Sequence, residues 1–270
     1  MFEIQYIVIG LVQGITEFLP ISSSGHLILI SAFTEWNDQG IFTDIAVHVG
    51  TLGAVVMYLR KYIKNIIIDF FSFKKNYFTT NHLWGIKIII ATIPALVVGF
   101  IVYEYLVDYL RNIIVIAWSS IIFGIILYFA DRKKNSTKKW EDLNFLEVII
   151  VGFFQVLAFI PGASRAGVTI TGARILNIKR ESAAIFSMLL SIPIIIASLA
   201  LSVIDIYTLN NSELNLIGPL VATIVSFITA FISIHFMMRI LHYTNFNIFI
   251  IYRIIPVSYT HLTLPTIYSV

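Results

Sequence analysis

Two short polar stretches interrupt an otherwise apolar chain, and both carry side chains that could handle an anion. The first is QGITEFLPISSSGH over residues 13–26, and the second is PGASRAGVT over residues 161–169. Between them they offer a carboxylate, an imidazole, a guanidinium and several hydroxyls. Such groups are costly in hydrocarbon, so they usually face a protected polar cavity and mark a functional site. We therefore predict a site that handles an anion, in particular a phosphate.

In the first stretch, Gln13 and Glu17 lie four residues apart and would share one face of a helix. A carboxylate beside an amide oxygen can hold a hard cation that keeps waters and takes its other ligands from a phosphate. The same helix face could instead only pack against water or another span. An ionisable residue at membrane depth favours the functional interpretation.

Hydroxyls follow Pro20 at Ser22, Ser23 and Ser24, and His26 comes two residues later. Proline ends the first half-helix and serine is a good N-cap for the next, so at least one of the three is expected to cap. The functional interpretation is a nucleophile or phosphate ligand with His26 as its acid or base.

The second stretch is richer in anion-binding features. Glycines such as Gly162 let the backbone come close to a ligand, and the N–H groups that begin a half-helix attract anions. Arg165 is always charged and forks onto phosphate oxygens. It could alternatively form a structural ion pair with the carboxylate of the first stretch. Ser164 and Thr169 would donate to the same anion or only cap the helix.

The composition is that of a membrane protein. The 270 residues are 58% hydrophobic and 12% charged, with a mean hydropathy of +0.89, whereas soluble domains are about 45–50% apolar and about 25% charged. The length predicts one domain. The absence of cysteine excludes disulfides and thiolate chemistry. We expect the apolar opening not to be a signal peptide, because Glu3 stands where a basic region would be and no small-residue cleavage site precedes Gln13.

Five apolar segments are long enough to cross a bilayer. A sixth apolar segment begins near Phe246 and is cut short by Pro256. Two further stretches, 2–33 and 145–176, are interrupted by Pro, Gly and Ser, which is typical of broken or re-entrant helices. We predict an all-α integral membrane protein with about six transmembrane helices plus two re-entrant helical hairpins. The five full segments are 41–59, 83–103, 112–130, 182–204 and 216–237.

Basic residues predict the topology. Lys and Arg fill the connectors at 60–75 and 132–139, which the positive-inside rule places in the cytoplasm. A third basic cluster at 174–180 would lie outside if 145–176 crossed the membrane, and inside if that segment dips in and returns. The charge pattern therefore favours re-entry.

The two interrupted stretches resemble each other and predict an inverted repeat. The first stretch has the pattern Gly10-x-x-Gln13, followed by a proline and a serine. The second has Gly152-x-x-Gln155, also followed by a proline and a serine, and three spans follow each stretch. An odd number of crossings per unit inverts the second unit, which places the site at the interface between the repeats. We expect repeat one at 1–130 and repeat two at 145–255.

The two polar stretches at this separation resemble the bacitracin-resistance family of undecaprenyl-diphosphate phosphatases, and the resemblance covers residues 1 to about 255. It implies a single membrane-embedded phosphatase domain over 1–255 that hydrolyses undecaprenyl diphosphate to undecaprenyl phosphate and inorganic phosphate. That reaction recycles the lipid carrier for peptidoglycan synthesis and supports cell wall biogenesis, cell shape and antibiotic resistance. The resemblance also implies a divalent cation, Mg²⁺ or Ca²⁺, and a multi-pass protein of the bacterial plasma membrane with its active site opening to the outer face. Bacitracin would compete for the polyprenyl diphosphate substrate rather than bind the protein.

Position by position, the resemblance assigns roles to the polar side chains. Ser24 stands where the family usually has Thr, and Ala166 where it has a second Ser. A serine nucleophile and a water activated by a side chain both remain open. The implied catalytic residues are Ser23, His26, Arg165 and Glu17, the metal ligands are Glu17 and Gln13, and the phosphate-binding residues are Ser22, Ser24, Gly162, Ser164 and Thr169.

The C-terminus departs from the family. Residues 256–270 are neither apolar nor helical in pattern and resemble translated sequencing-adapter read-through, so we expect a non-native tail in which His261 is not a ligand. The alternative function is a lipid-phosphate flippase or transporter without hydrolysis, which an inverted repeat alone would equally support. The sequence gives no indication of nucleic-acid binding and is compatible with a homo-oligomer.

Overall fold

The structure, a computed structural model, describes residues 2–34, 36, 40–71, 83–105, 113–132, 136–208 and 217–257. Within these ranges the chain is helical without a β-strand. Short 3₁₀ turns occur at Trp140–Asp142 and Leu157–Phe159, and a π-helical turn at Arg253–Val257. The α-helices of these ranges are α1 (Phe2–Thr16), α2 (Ser23–Phe33), α3 (Gly40–Tyr58), α4 (Arg60–Phe71), α5 (Trp84–Tyr105), α6 (Ile113–Asp131), α7 (Phe145–Val156), α8 (Arg165–Ile175), α9 (Arg180–Thr208), α10 (Ile217–Tyr243) and α11 (Asn247–Tyr252).

In the described ranges, four helices are long and apolar enough to cross a membrane, namely α5, α6, α9 and α10. The α3–α4 pair is a fifth candidate, bent by 75° where α4 begins. The four single helices coincide with predicted segments, so the all-α membrane fold is confirmed. Of the bent pair, α3 coincides with the predicted segment 41–59, and α4 lies in the stretch predicted as a basic connector. The predicted sixth segment forms α11 and the π turn, and residues 258–270 of the predicted tail lie outside the described residues.

Helix α10 shows how the apolar sequence builds the bundle. Large side chains at Leu220, Ile224 and Ile228 are exposed, as expected for a face turned to lipid. The opposite face is buried and carries small residues such as Ala222 and Ser226, which let α1 and α3 approach closely. Without a hydrophobic force between helices in lipid, close contact between small residues is what holds spans together.

The second interrupted stretch turns back, as predicted. α7 and α8 pack against each other across the break at 157–164. Lys138, before α7, and Ile178, after α8, form a backbone bridge. Both ends of the segment therefore lie at the same end of the bundle, which confirms a re-entrant hairpin rather than a crossing.

A buried carboxylate fixes this end of the bundle. Asp131 ends α6, beside the basic connector, and its carboxylate pairs with Arg174 Nε at 2.8 Å and Arg180 Nε at 2.9 Å. The backbone N–H of Phe246 donates to the same carboxylate at 3.2 Å. We call these residues the Asp131 cluster. The cluster brings the third basic group, 174–180, to the side of the 132–139 connector, as the re-entrant hypothesis requires.

Matching helix crossings support the predicted repeat. Gly10 in α1 packs so closely on α10 that an added Cβ would lie 2.8 Å from the Ala222 carbonyl oxygen. Gly152 in α7 packs on α5 in the same way, at 2.6 Å from the Ala91 carbonyl oxygen. Gly10 and Gly152 are the equivalent glycines of the sequence comparison. The repeat boundaries at 1–130 and 145–255 stay a prediction.

Candidate active site

The first hairpin turn forms where Pro20 prevents α1 from continuing. A proline ring clashes with the carbonyl four residues earlier and disfavours helical backbone at the preceding residue, so α1 ends at Thr16. Ser22 then adopts φ 72°, in the left-handed region, and α2 begins at Ser23. The turn brings Glu17 and Ser23, one on each side of it, next to each other.

The second hairpin turn has the same plan. After the 3₁₀ turn Leu157–Phe159, Gly162 has φ 89° and Ser164 has φ 67°, and α8 begins directly afterwards at Arg165. The Ser164 side chain accepts a hydrogen bond from the Gly167 backbone N–H at 3.2 Å. Ser164 therefore acts as a helix N-cap, the simpler of its two interpretations. The cap fixes where Arg165 leaves the backbone.

Glu17 is the centre of the site and is 8% exposed. Its Oε1 accepts from Arg165 Nη2 at 2.9 Å. Its Oε2 accepts from Gln13 Nε2 at 2.9 Å and from Ser23 Oγ at 2.9 Å. The ion pair that the sequence left as an alternative is thus present, and it joins the two polar stretches at one carboxylate. Because a buried charge is tolerated only when paired, removing either Glu17 or Arg165 should destabilise the fold.

Arg165 is supported from behind by a residue that the sequence did not single out. That residue is Ser187, whose backbone carbonyl accepts from Arg165 Nη1 at 3.5 Å. The Ser187 hydroxyl lies 2.7 Å from Thr169 Oγ1, and Thr169 also donates to the Arg165 carbonyl oxygen at 2.8 Å. Thr169 therefore orients the arginine through Ser187 and through the first turn of α8.

A cavity of about 670 Å³ opens on this group of side chains. Helices α1, α2, α3, α8 and α9 all contribute to its wall. Its polar wall is formed by Gln13, Glu17, Ser23, Ser24, Asp44, His48, Arg165, Ser198 and Ser202, and its apolar wall by Leu27, Ile28, Ile45, Ile194, Ile195 and Leu199. The cavity can thus accept a charged group and an apolar chain together, which is the usual character of a ligand site.

His26 lies apart from this group. Its Nδ1 is 2.7 Å from the Ser22 carbonyl oxygen, and its Nε2 is 2.9 Å from the Tyr252 hydroxyl. Among the described residues, His26 is not part of the cavity wall. The Ser23 hydroxyl donates instead to Glu17. The structure therefore brings Ser23, Glu17 and Arg165 together and places His26 beside them, against the C-terminal segment.

Two other predicted phosphate ligands, Ser24 and Gly162, differ in whether they line the cavity. Ser24 lines the cavity, and its hydroxyl lies 3.3 Å from that of Ser22. Gly162 faces helix α6 instead, since an added Cβ would lie 2.2 Å from Ser119 Oγ. Its glycine is needed for this close approach and for its positive φ.

Asp44 and His48 are not among the site residues selected from the sequence, yet both line the cavity. His48 Nδ1 lies 2.7 Å from the Asp44 carbonyl oxygen, one turn earlier on α3. Their spacing of four residues and their position in an apolar span were the signals available. Tyr252 and Arg253 were also missed, because the sequence shows only that they follow an apolar segment.

The residues present fit a divalent cation in part. Gln13 is fully buried, and its Oε1 has no hydrogen-bond partner, so an acceptor beside Glu17 is available to a ligand. Among the described residues, no three His, Asp or Glu side chains are grouped for a metal ion. A cation held by Glu17 and Gln13 would have to take its other ligands from water and substrate phosphate, as Mg²⁺ commonly does.

Fold and site together define a multi-pass membrane protein with a charged cavity enclosed among its helices. Residues 6–258 match the family described as bacitracin resistance protein BacA. An undecaprenyl-diphosphatase of Saccharophagus degradans is 41% identical over 250 residues, which is 92% of each chain. One of Idiomarina loihiensis is 40% identical over 93% of this chain and 95% of its own, and one of Ruegeria pomeroyi is 40% identical over 92% and 93%. The chain belongs to the bacitracin resistance protein BacA family.

Proposed function

We propose that the protein is an undecaprenyl-diphosphate phosphatase, which hydrolyses undecaprenyl diphosphate to undecaprenyl phosphate and inorganic phosphate and so recycles the cell-wall lipid carrier. The observation that carries the proposal is the contact of Ser23, Glu17 and Arg165 in the wall of a cavity that six apolar side chains also line. The family and the names of the relatives support the same reaction. They do not favour the flippase alternative.

The hydrogen bond from Ser23 to Glu17 suggests how the reaction begins. As Ser23 Oγ attacks the terminal phosphorus, its proton passes to Glu17 Oε2, which already accepts that hydrogen bond at 2.9 Å. The bond from phosphorus to the bridging oxygen breaks, and undecaprenyl phosphate leaves with the proton that Glu17 took up. Water then hydrolyses the phosphoserine, which releases inorganic phosphate and restores the Ser23 hydroxyl. In the alternative path, water attacks directly and gives its proton to the same carboxylate.

Arg165 supplies the charge stabilisation. The guanidinium forks onto phosphate oxygens and is fixed before the reaction by Glu17 and Ser187, so it needs little reorganisation. When a phosphate enters, Arg165 can exchange part of its ion pair for the new anion. The exchange leaves Glu17 Oε1 without its arginine.

A divalent cation, Mg²⁺ or Ca²⁺, belongs to the proposal as well. Glu17 and Gln13 would hold it, and when bound it would neutralise charge on the diphosphate. Gln13 Oε1, buried without a hydrogen-bond partner, supports this assignment.

The position of the cavity along α9 supports an opening to the outer face. α9 begins at Arg180, in the Asp131 cluster beside a basic connector. Its cavity residues are Ile194 to Ser202, so the cavity starts about 20 Å further along the helix at 1.5 Å per residue. With the basic side in the cytoplasm, this depth lies in the outer half of a core about 30 Å thick. Bacitracin, acting outside, would then compete for the same lipid substrate.

Phosphate release by the purified protein in detergent tests the function, because flipping has no meaning without a bilayer. We expect release from undecaprenyl diphosphate with Mg²⁺ or Ca²⁺ and little release after chelation. Glu17→Gln should abolish most of it, while Glu181→Gln, which alters a carboxylate in the exposed pair with His242, should not. A purified, folded protein that releases no phosphate under either cation would contradict the proposal.

A further inference from the structure

Near the end of the described residues, Arg253 lies between the two hairpin turns. Arg253, which is 0% exposed, donates from Nη2 to the carbonyl oxygens of Gly162 at 2.8 Å and Ala163 at 3.0 Å, both in the second turn. Its Nη1 lies 3.5 Å from the Pro20 carbonyl oxygen, in the first turn. One guanidinium thus contacts both turns, which its planar fork of five N–H groups allows and a single ammonium does not.

A glycine of the second polar stretch makes room for this arginine. A Cβ at Gly167 would lie 2.8 Å from Arg253 Nη1. Gly167 also donates its backbone N–H to the Ser164 cap that begins α8. The guanidinium therefore packs directly against the turn that sets the position of Arg165.

The neighbouring tyrosine reaches the first hairpin. The Tyr252 hydroxyl lies 2.9 Å from His26 Nε2, and the two rings stack with centroids 5.6 Å apart. Because His26 Nδ1 faces a carbonyl oxygen, that of Ser22, it must carry the proton in the neutral ring, and Nε2 then accepts from Tyr252. The series of hydrogen bonds from Tyr252 through His26 reaches Ser22, the residue directly before Ser23.

We propose that Tyr252 and Arg253 are positioning residues, which hold Ser23 and Arg165 in mutual register by fixing the two turns that precede them. The proposal rests on the proposed function. Among the described residues, neither side chain is part of the cavity wall, so both act through the turns rather than on the substrate. On this account His26 transmits the position of Tyr252 to the nucleophile's loop.

Two substitutions test the proposal, each with a matched control at an exposed site. Tyr252→Phe keeps the stacked ring and removes the hydroxyl, and Tyr243→Phe, at a side chain 78% exposed, is its control. Arg253→Lys keeps the charge and loses the fork, and Arg239→Lys, at an exposed arginine, is its control. Turnover and KM for undecaprenyl diphosphate are measured in detergent, with the midpoint of thermal unfolding for each variant.

We expect Tyr252→Phe to lower kcat about three- to tenfold, the range of one net hydrogen bond, with KM unchanged and the unfolding midpoint lowered by no more than about 2–4 °C. Arg253→Lys should lower kcat by about tenfold or more, because contact with at least one turn is lost. The control variants should match the wild type. If Arg253→Lys does not fold, the Tyr252→Phe result alone decides.

A double-mutant cycle separates positioning from general packing. If Tyr252 acts through His26, then Tyr252→Phe combined with His26→Gln should be no slower than His26→Gln alone. Additive losses, or a wild-type kcat for Tyr252→Phe, would overturn the inference while leaving the phosphatase proposal intact. A wild-type protein that releases no phosphate would instead overturn the proposed function.

Discussion

Replacing Arg165 by lysine is the sharpest test of how the site stabilises charge. The guanidinium is 14% exposed and uses two nitrogens at once, Nη2 on Glu17 at 2.9 Å and Nη1 on Ser187 at 3.5 Å. Lysine keeps the positive charge, so the buried carboxylate retains a partner and the protein should fold. Its single ammonium cannot hold Glu17 and at the same time fork onto phosphate oxygens.

The loss should appear in turnover. Removing one preorganised donor to a transition state costs about a hundredfold in kcat, or about 2.7 kcal/mol. Because the donor matters most when charge builds on the phosphate oxygens, kcat should fall while KM changes little. We therefore expect Arg165→Lys to reduce kcat by on the order of 10².

Initial rates of phosphate release from undecaprenyl diphosphate in detergent, over a range of substrate concentrations, give kcat and KM separately. Arg239→Lys, at an exposed position of α10, controls for the substitution itself. A variant with near wild-type kcat and a raised KM would refute the reasoning, because Arg165 would then bind substrate without stabilising the transition state. A lowered unfolding midpoint would show that the ion pair is mainly structural.

The remaining predictions concern coupling, stability, access and the tail. Ser23→Ala and Glu17→Gln should each lower kcat by on the order of 10², and the double variant should be little worse, because the two act as one unit. Asp131→Asn should cost about 3–5 kcal/mol of unfolding free energy, since it leaves two buried or half-buried arginines without their carboxylate. Because the chain has no cysteine, Ser202→Cys would introduce a single thiol, which should react with an impermeant thiol reagent in intact cells if the cavity opens to the outer face. Deleting residues 256–270 should leave activity near that of the full chain.

Each of these has its own contradicting result. Multiplicative losses in the Ser23 and Glu17 double variant would separate the two roles. Glu181→Gln is the control for Asp131→Asn, since its exposed pair with His242 is worth less than about 1 kcal/mol, and equal effects would contradict the burial argument. Labelling of Ser136→Cys but not of Ser202→Cys would show that the topology is the opposite of the one proposed. Inactivity after the deletion would make the tail a working part of the protein.

The parts of the fold that local chemistry determines could be predicted. Pro20 and Pro161 lie at breaks because serine and glycine stand beside them, whereas Pro94 and Pro193 lie inside α5 and α9 without ending them. An apolar run of twenty residues has few alternatives to a span. The contact of Glu17 with Arg165 was foreseen as one alternative because each needed a buried counter-charge. These features depend on neighbours in sequence or on charge, and both are visible in a single chain.

Contacts set by the packing of distant helices could not be predicted. Ser187 supports Arg165 across 22 residues, and Arg253 contacts Pro20 across 233. Nothing local distinguishes Ser187 from the other serines of α9. The proposed partnership of Ser23 with His26 shows the same limit, because a spacing of three residues suggested a contact, whereas the structure gives each side chain another partner, Glu17 and Tyr252.

The pairing of Glu17 with Arg165 also has a consequence for synthesis of the protein. The two residues are 148 positions apart, so Glu17 leaves the ribosome roughly seven to thirty seconds before its counter-charge at about 5–20 residues per second. A carboxylate in hydrocarbon without a partner is unfavourable for all of that time. Until Arg165 is made, Glu17 has to stay hydrated or take up a proton. An N-terminal half made alone would lack the counter-charge of Glu17 and should insert less favourably than the whole chain.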